Sequence, residues 1–326
     1  MEAVIVAHHL TKSFGDSAES ITAVRDVSLA IRAGELFGLF GANGAGKSTL
    51  VRMLATLIQP SSGTASVCGY DVVRQEVQAR AQVGLASANE HSFYGRLTAW
   101  QNLLFYAALY NLSPQQARQR AREMLTLFGL TAQTHRPVQA LSSGQKQRLN
   151  MARALVHDPA VLFLDEPTKS MDVETADFVK ELIRRRLVGQ QGKTVVFISH
   201  ELYEMDDFCD RVMILAQGQV QAVGTPGELR AQLPQHPVYR VVVTGDSAEM
   251  SARWSLLPGV VAVQEISRDV LTTTFDLTLS DDRSQVWLDA WREVAACGGH
   301  VESYQRQAAH SLRQVVKHFS QGSANP

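Results

Sequence analysis

Cysteine is scarce: Cys68, Cys209 and Cys297 are the three in 326 residues, and they lie too far apart for the paired spacing of a zinc site or a redox dithiol. They are expected as isolated thiols, which points to a reducing compartment. Long apolar runs are missing as well. No stretch approaches the roughly 18 apolar residues of a membrane-crossing helix, and the opening Met1-Glu2-Ala3-Val4-Ile5-Val6 lacks the basic segment of a secretory signal. A role at a membrane therefore has to be supplied by another chain. Neither sign of charge dominates, since 31 Lys and Arg face 32 Asp and Glu for a net charge of -1. That balance carries no electrostatic footprint of a nucleic-acid binder, and no nucleic-acid partner is expected. Internal repeats and low-complexity segments are also lacking. What is present is a hydrophobic content of 45%, ample for ordinary cores, in a length that suits about two domains of roughly 100–200 residues each.

Periodicity organises the chain into alternating strands and helices. Alternating apolar residues predict strands over Val4–Ala7, Val27–Ile31 and Glu35–Phe40, and the Gly-rich stretch Gly41–Gly46 opens a helix from Lys47 to about Ile58. A short strand follows at Thr64–Gly69, then helices over Ala99–Tyr110 and Gln115–Phe128, the second announced by an N-cap, an N1 proline and a capping-box residue in Ser113-Pro114-Gln115-Gln116. A helix from Ser143 to Val156, an apolar strand Val161–Leu164, a helix Val173–Arg186 and an apolar strand Thr194–Ser199 imply a parallel sheet covered on both faces. A hairpin is expected at Gln217-Gly218, and Gly224-Thr225-Pro226-Gly227 with Leu233–Pro237 reads as a linker. Beyond it come strand 238–244, helix 248–256, strands 260–266 and 272–279, helix 283–296 and strand 300–304. This is the β-α-β-β-α-β order of a ferredoxin-like domain, followed by a helix over about Ser311–Phe319.

Three features carry chemistry. Gly41-Ala42-Asn43-Gly44-Ala45-Gly46-Lys47-Ser48 fits the phosphate-loop pattern G-x-x-x-x-G-K-S/T between a strand and a helix. Its glycines allow backbone N–H groups to turn toward a polyphosphate; Lys47 neutralises β- and γ-phosphates, Ser48 offers a hydroxyl to Mg²⁺, and Thr49 stands on the α-phosphate side. The strand Val161–Leu164 ends in Asp165-Glu166, at the carboxyl edge where ligands sit in open α/β folds. Asp165 suits a Mg²⁺-holding role, and Glu166 is placed to orient or deprotonate an attacking water. His200 ends the strand Thr194–Ser199 at the same edge, within reach of a γ-phosphate or the water.

Between these features lies Leu141-Ser142-Ser143-Gly144-Gln145, which is similar to the L-S-G-G-Q signature of ABC ATPases and occupies the place that family requires. The resemblance covers about residues 2–230. It implies an α/β P-loop ABC ATPase domain with a mixed sheet plus antiparallel β and helical subdomains, here 1–232, ahead of the α+β ferredoxin-like accessory domain at 238–326. It further implies ATP and Mg²⁺ as ligands and two copies closing head to tail on two ATP, with Ser142, Ser143, Gly144 and Gln145 of one copy reaching the γ-phosphate held by the other. Ser143 replaces a glycine, which is tolerable if that residue needs no positive φ. By the same resemblance Phe14 matches the aromatic that stacks on adenine, and Asp172 the acid of the D-loop, in which Lys169 is a departure. The segment Val83–Glu90 lacks the glutamine the family uses as a Mg²⁺ and water ligand, and Asn89 is the nearest chemical substitute.

The segments Ser143–Leu149 and Phe93–Thr98 look like the motors of exporters whose permease is a separate chain, so the chain is expected to be the ATP-hydrolysing subunit of an ABC exporter. It would be peripheral to the cytoplasmic face of the membrane and would touch its transmembrane permease near 87–108, where Phe93, Tyr94 and Trp100 are either contacts or core residues. An import motor whose C-terminal domain binds a regulatory ligand is the alternative. A soluble ABC protein acting on ribosomes or DNA is the third reading, without the second cassette or long coiled coil those proteins carry. The transported substrate stays open.

Overall fold

The computed structural model describes residues 2–15, 20–87, 93–169, 171–201, 204–232, 237–245, 247–269, 271–280 and 284–306. The chain divides into two compact units, Met1–Pro226 and Gly227–Pro326.

The first unit is built on two sheets. β1 (Ala3–Phe14) and β2 (Ile21–Arg32) form a long antiparallel pair, and β3 (Leu36–Phe40) then enters a different sheet. The helix after it, α1 (Lys47–Leu54), is four residues shorter than the apolar pattern suggests. Thr56 turns to φ 60°, and Leu57 N–H reaches back to Arg52 O at 2.8 Å, which closes the helix before Ile58. β4 (Ser62–Val67) and the two-residue β5 (Tyr70–Asp71) complete the antiparallel sheet in the order β2-β1-β4-β5. After the short α2 (Glu76–Ala81) comes β6 (Val83–Ser87), a strand not expected from its short, small-residue sequence.

A helical segment follows, made of α3 (Ala99–Leu109), α4 (Pro114–Leu127) and α5 (Ser143–Ala154). Each opens with a complete capping box, Thr98 with Gln101, Ser113 with Gln116, and Ser142 with Gln145, so the first orphan N–H groups are satisfied by side chains. β7 (Val161–Asp165), α6 (Val173–Glu181), β8 (Thr194–Ser199), β9 (Arg211–Ala216) and β10 (Gln219–Gly224) finish the unit. The helical pattern read through Arg186 changes character at Leu182, where the chain continues to Gln190 as π-helix. Gln217 at φ 50° and Gly218 at φ 76° make the β9–β10 turn. Of the stretch read as a linker, Gly224 ends β10, Pro226 and Gly227 open a helix, α7 (Pro226–Ala231), and 233–236 lie outside the described residues.

The six-stranded sheet has the order β10-β9-β3-β8-β7-β6, with β6, β7, β8, β3 and β9 parallel and β10 antiparallel to β9. β3 and β8 are buried at every residue, as a parallel strand covered on both faces must be. The main core lies between the two sheets: Ile5, Leu10 and Val27 from the antiparallel sheet pack with Phe37, Phe163 and Ile198 from the parallel one, and Leu50 and Met53 of α1 fill the space between. Pairing places Ser87 beside Asp165, Asp165 beside Ile198, and Phe40 beside Ser199, so the carboxyl ends of four parallel strands finish in one row.

The second unit contains β11 (Val238–Val243), α8 (Ser247–Trp254), β12 (Val260–Arg268), β13 (Thr273–Leu279), α9 (Ser284–Ala296) and β14 (Val301–Arg306). Its sheet is antiparallel throughout with order β12-β13-β11-β14. That is the ferredoxin-like arrangement read from the element order. Trp254, Phe275 and Leu277 centre a core of its own. The expected helix at 311–319 lies outside the described residues. Among the described residues no helix is long and apolar enough to cross a membrane.

Candidate phosphate-binding site

The loop that follows β3 is shaped by two glycines that no other residue can replace. A Cβ on Gly41 would lie 2.5 Å from Leu215 O, and one on Gly46, at φ 100°, would lie 2.3 Å from Ala23 O. The β9–β10 turn braces the loop from outside, with Gly218 N–H donating to Ala45 O at 3.0 Å and Arg25 N–H donating to Gly218 O at 2.8 Å. Lys47 is only 7% exposed. Its ammonium donates to Gly41 O at 2.5 Å and Ala42 O at 3.1 Å. Burial pulls its pKa below the ordinary lysine value, and the carboxylates of Asp165 and Glu166 pull the other way.

A cavity of about 490 Å³ opens over this loop, lined by residues 42–49 together with Ala23, Asp165, Glu166 and Lys169. Every residue expected at the phosphate loop from Asn43 to Thr49 therefore shares one space with the acidic pair, and Gly41 supports it from beneath. Asp165, the last residue of β7, has its carboxyl pushed up first by burial and then by the Glu166 charge, with Lys47 opposing. Ser87 Oγ stands 3.5 Å from Asp165 Oδ2. The donor set beside the cavity is a hydroxyl and a carboxylate, hard oxygen ligands of the kind Mg²⁺ takes one or two of while phosphates supply the rest. By this donor chemistry Ser48 and Asp165 fit a divalent cation. Asn89, the third candidate ligand, lies outside the described residues.

Glu166 sits just beyond the strand at φ 50°, its N–H donating to Ile198 O at 2.9 Å and extending the ladder by one residue. This unusual backbone turn presents the side chain to the cavity instead of along the strand. Its Oε1 faces His200 Nδ1 at 2.5 Å and its Oε2 pairs with Lys169 Nζ at 2.6 Å. Burial pushes the Glu166 carboxyl up, but the hydrogen bonds and charges of Lys169 and His200 together outweigh it and hold the carboxyl below its ordinary range. His200, expected to reach a γ-phosphate or the water, instead bonds Glu166 and does not line the cavity. Lys169, noted in the sequence only as a departure, is brought into the same cluster. Glu204 was missed altogether. It accepts from Thr168 Oγ1 at 2.7 Å and Ser199 Oγ at 2.6 Å, tying the chain after Glu166 to the end of β8. Its place four residues past His200 in a mixed acidic stretch gave no separate signal.

The remaining candidates stand apart from this cavity's lining. Phe14 ends β1, is 45% exposed and has Lys12 Nζ 5.1 Å from its ring centre. Ser142 caps α5, and Ser143 is its first helical residue, so the replaced glycine needs no positive φ. Gly144 and Gln145 complete that first turn, with Gln145 N–H donating to Ser142 Oγ at 3.3 Å. Asp172 caps α6 through Thr175 N–H at 2.8 Å, a bond that holds its carboxyl below the usual range. Phe93 and Tyr106 pack edge to face at 6.3 Å, Tyr94 and Phe105 at 5.0 Å, and Arg153 lies over Phe93 and Tyr106. Tyr94 remains 53% exposed.

Comparison with known proteins agrees with this geometry. Residues 24–169 match the protein-family model described as ABC transporter. The chain is 36% identical over 210 residues to the ABC transporter ATP-binding protein NatA of Bacillus subtilis, covering 64% of this chain and 85% of that one. It is 34% identical to the linearmycin resistance ATP-binding protein LnrL of the same organism, covering 74% of this chain and 76% of that one. It is 36% identical to the methionine import ATP-binding protein MetN of Geobacillus kaustophilus, covering 68% and 65%. Among solved structures, a dimeric ATP-binding cassette in a post-hydrolysis state with ADP and Pi superposes with a TM-score of 0.62 at 26% identity, covering 68% of this chain and 98% of that one.

Proposed function

Because the chain belongs to the ABC transporter ATP-binding protein family, we propose that it is the motor subunit of an exporter, hydrolysing ATP between two copies of itself to drive a separate transmembrane permease. The observation that carries the reading is the juxtaposition, in one cavity, of the phosphate loop and its buried Lys47 with the paired carboxylates Asp165 and Glu166. In this reading the backbone N–H groups of residues 43–49 and the Lys47 ammonium hold the β- and γ-phosphates. Ser48 and Asp165, with Asn89 as a further candidate, would hold a Mg²⁺ ion, which when bound would neutralise charge on the phosphate oxygens. Glu166 takes a proton from water as the water oxygen attacks the γ-phosphorus and the bond to the β-phosphate oxygen breaks, leaving ADP and phosphate. His200 fixes the Glu166 carboxylate by its 2.5 Å contact. Phe14 stacks on the adenine, Ser142–Gln145 of the second copy close over the γ-phosphate, and Asp172 sits at the interface between copies.

Closure of the two copies is transmitted to the permease as a conformational bias, with the half-exposed aromatic group around Tyr94 and Phe105 as the contact region. The motor is then peripheral to the cytoplasmic face of the membrane. Export is favoured by the likeness to a resistance protein, while the likeness to a methionine import protein favours the second reading, an import motor with a ligand-regulated C-terminal unit. The test is to isolate membranes from cells expressing tagged Glu166→Gln protein, solubilise them with ATP and identify what co-purifies. A polytopic membrane chain near one-to-one supports the motor reading, and its identity separates export from import. Ribosomes or DNA in its place would overturn it.

A further inference from the structure

The Glu166 carboxylate is engaged at both oxygens. Oε1 is committed to His200 Nδ1 at 2.5 Å, so Oε2 is the oxygen left for a water, and Lys169 Nζ sits on it at 2.6 Å. The two partners differ in freedom. Lys169 is 54% exposed at its side chain while Glu166 is only 15% exposed. The root of Lys169 is nonetheless fixed: its N–H donates to Glu166 O at 3.2 Å, and the buried Thr168 before it donates to Glu204 Oε1 at 2.7 Å. A pinned backbone with a long, solvent-facing ammonium allows the charge to swing without moving the loop. The destination is at hand, because Lys169 lines the same cavity as Lys47 and Ser48.

We propose that Lys169 is a positioning residue that works as a two-position latch on Glu166. Paired with Oε2, it withholds that oxygen from water. When a nucleotide brings its γ-phosphate charge into the shared cavity, the ammonium moves to the phosphate, frees Oε2 and adds a second cation beside Lys47. The latch ties release of the base to arrival of the substrate, so water is not activated without ATP in place. It rests on the reading of Glu166 as the base.

Steady-state ATP hydrolysis by the purified full chain, measured for wild type, Glu166→Gln, Lys169→Met and Lys169→Arg, tests this. Methionine keeps the length of the side chain and removes its charge. The latch requires Lys169→Met to raise KM for ATP by about two- to fivefold, the size of an exposed ion pair, and to leave kcat no higher than wild type, because at saturating ATP the ammonium has already left Oε2. Lys169→Arg, which keeps the pair, restores KM to near wild type. A kcat that rises in Lys169→Met, an unchanged KM, or an arginine variant that behaves like the methionine one would overturn the latch while an inactive Glu166→Gln leaves the base assignment standing. An active Glu166→Gln would overturn both.

Discussion

The six-stranded sheet of the first unit and the four-stranded sheet of the second are both layers of strands covered by helices, yet among the described residues only the first ends its strands in chemistry. The reason is strand direction. Parallel strands carry all their carboxyl ends to one edge, so Phe40, Ser87, Asp165 and Ser199 align in register, the residues after β3 and β7 meet around one cavity, and His200 after β8 reaches Glu166 beside it. In the antiparallel sheet of β11–β14 neighbouring ends alternate, and no edge gathers them. A core built around Trp254 and Phe275 is what that arrangement yields.

This contrast is sharpened most by separating activity from stability. Glu166→Gln is expected to lower kcat by about 10²–10⁴-fold, the usual worth of a general base, with its thermal unfolding temperature unchanged. Phosphate release and calorimetry on the same preparation check both. Trp254→Ala is the opposite experiment. That ring is fully buried, packs edge to face with Phe275 at 5.3 Å and donates its indole N–H to Ala290 O at 3.0 Å. Its removal is expected to cost the second unit about 3–5 kcal/mol while ATP binding by the first persists. Denaturant melts followed alongside nucleotide titration would show a linked loss if the comparison is wrong.

A smaller effect comes from His157, stacked on Tyr110 at 3.6 Å with Nε2 facing Val83 O at 3.0 Å. Burial pushes its pKa down to about 4, below an unfolded value near 6.5. Between those values the unfolded chain binds more protons, so stability is full above about pH 6.5 and is lost as the pH falls toward 4. The loss is about 2–3 kcal/mol at 1.36 kcal/mol per unit, discounted for partial exposure. His157→Gln should flatten that part of the pH–stability curve for the first unit. The smallest expected change is Ser113→Ala, which removes the capping box of α4 and should cost about 1 kcal/mol by denaturant titration.

What was legible in the sequence follows the same division. The phosphate loop could be read because Gly41 and Gly46 meet backbone carbonyls that exclude any side chain, so residue identity records geometry directly. The ferredoxin-like order could be read from periodicity alone, since β13 alternates buried and half-buried residues without interruption. The full length of β1 and β2 could not, because register shifts at four places break the alternation. Nor could the grip on Glu166, which depends on a positive φ at that residue and on a side chain three positions later in an irregular turn. Local patterns do not encode a contact made by a bent backbone.

In the proposed function two copies enclose ATP with the phosphate loop of one and Ser142–Gln145 of the other. Light scattering of Glu166→Gln protein, with and without ATP, tests it most directly. Enclosure requires a doubling of mass on ATP addition, with two nucleotides bound per dimer and the doubling lost when Lys47→Ala is added. A species that binds ATP tightly at monomer mass at all accessible concentrations would contradict it.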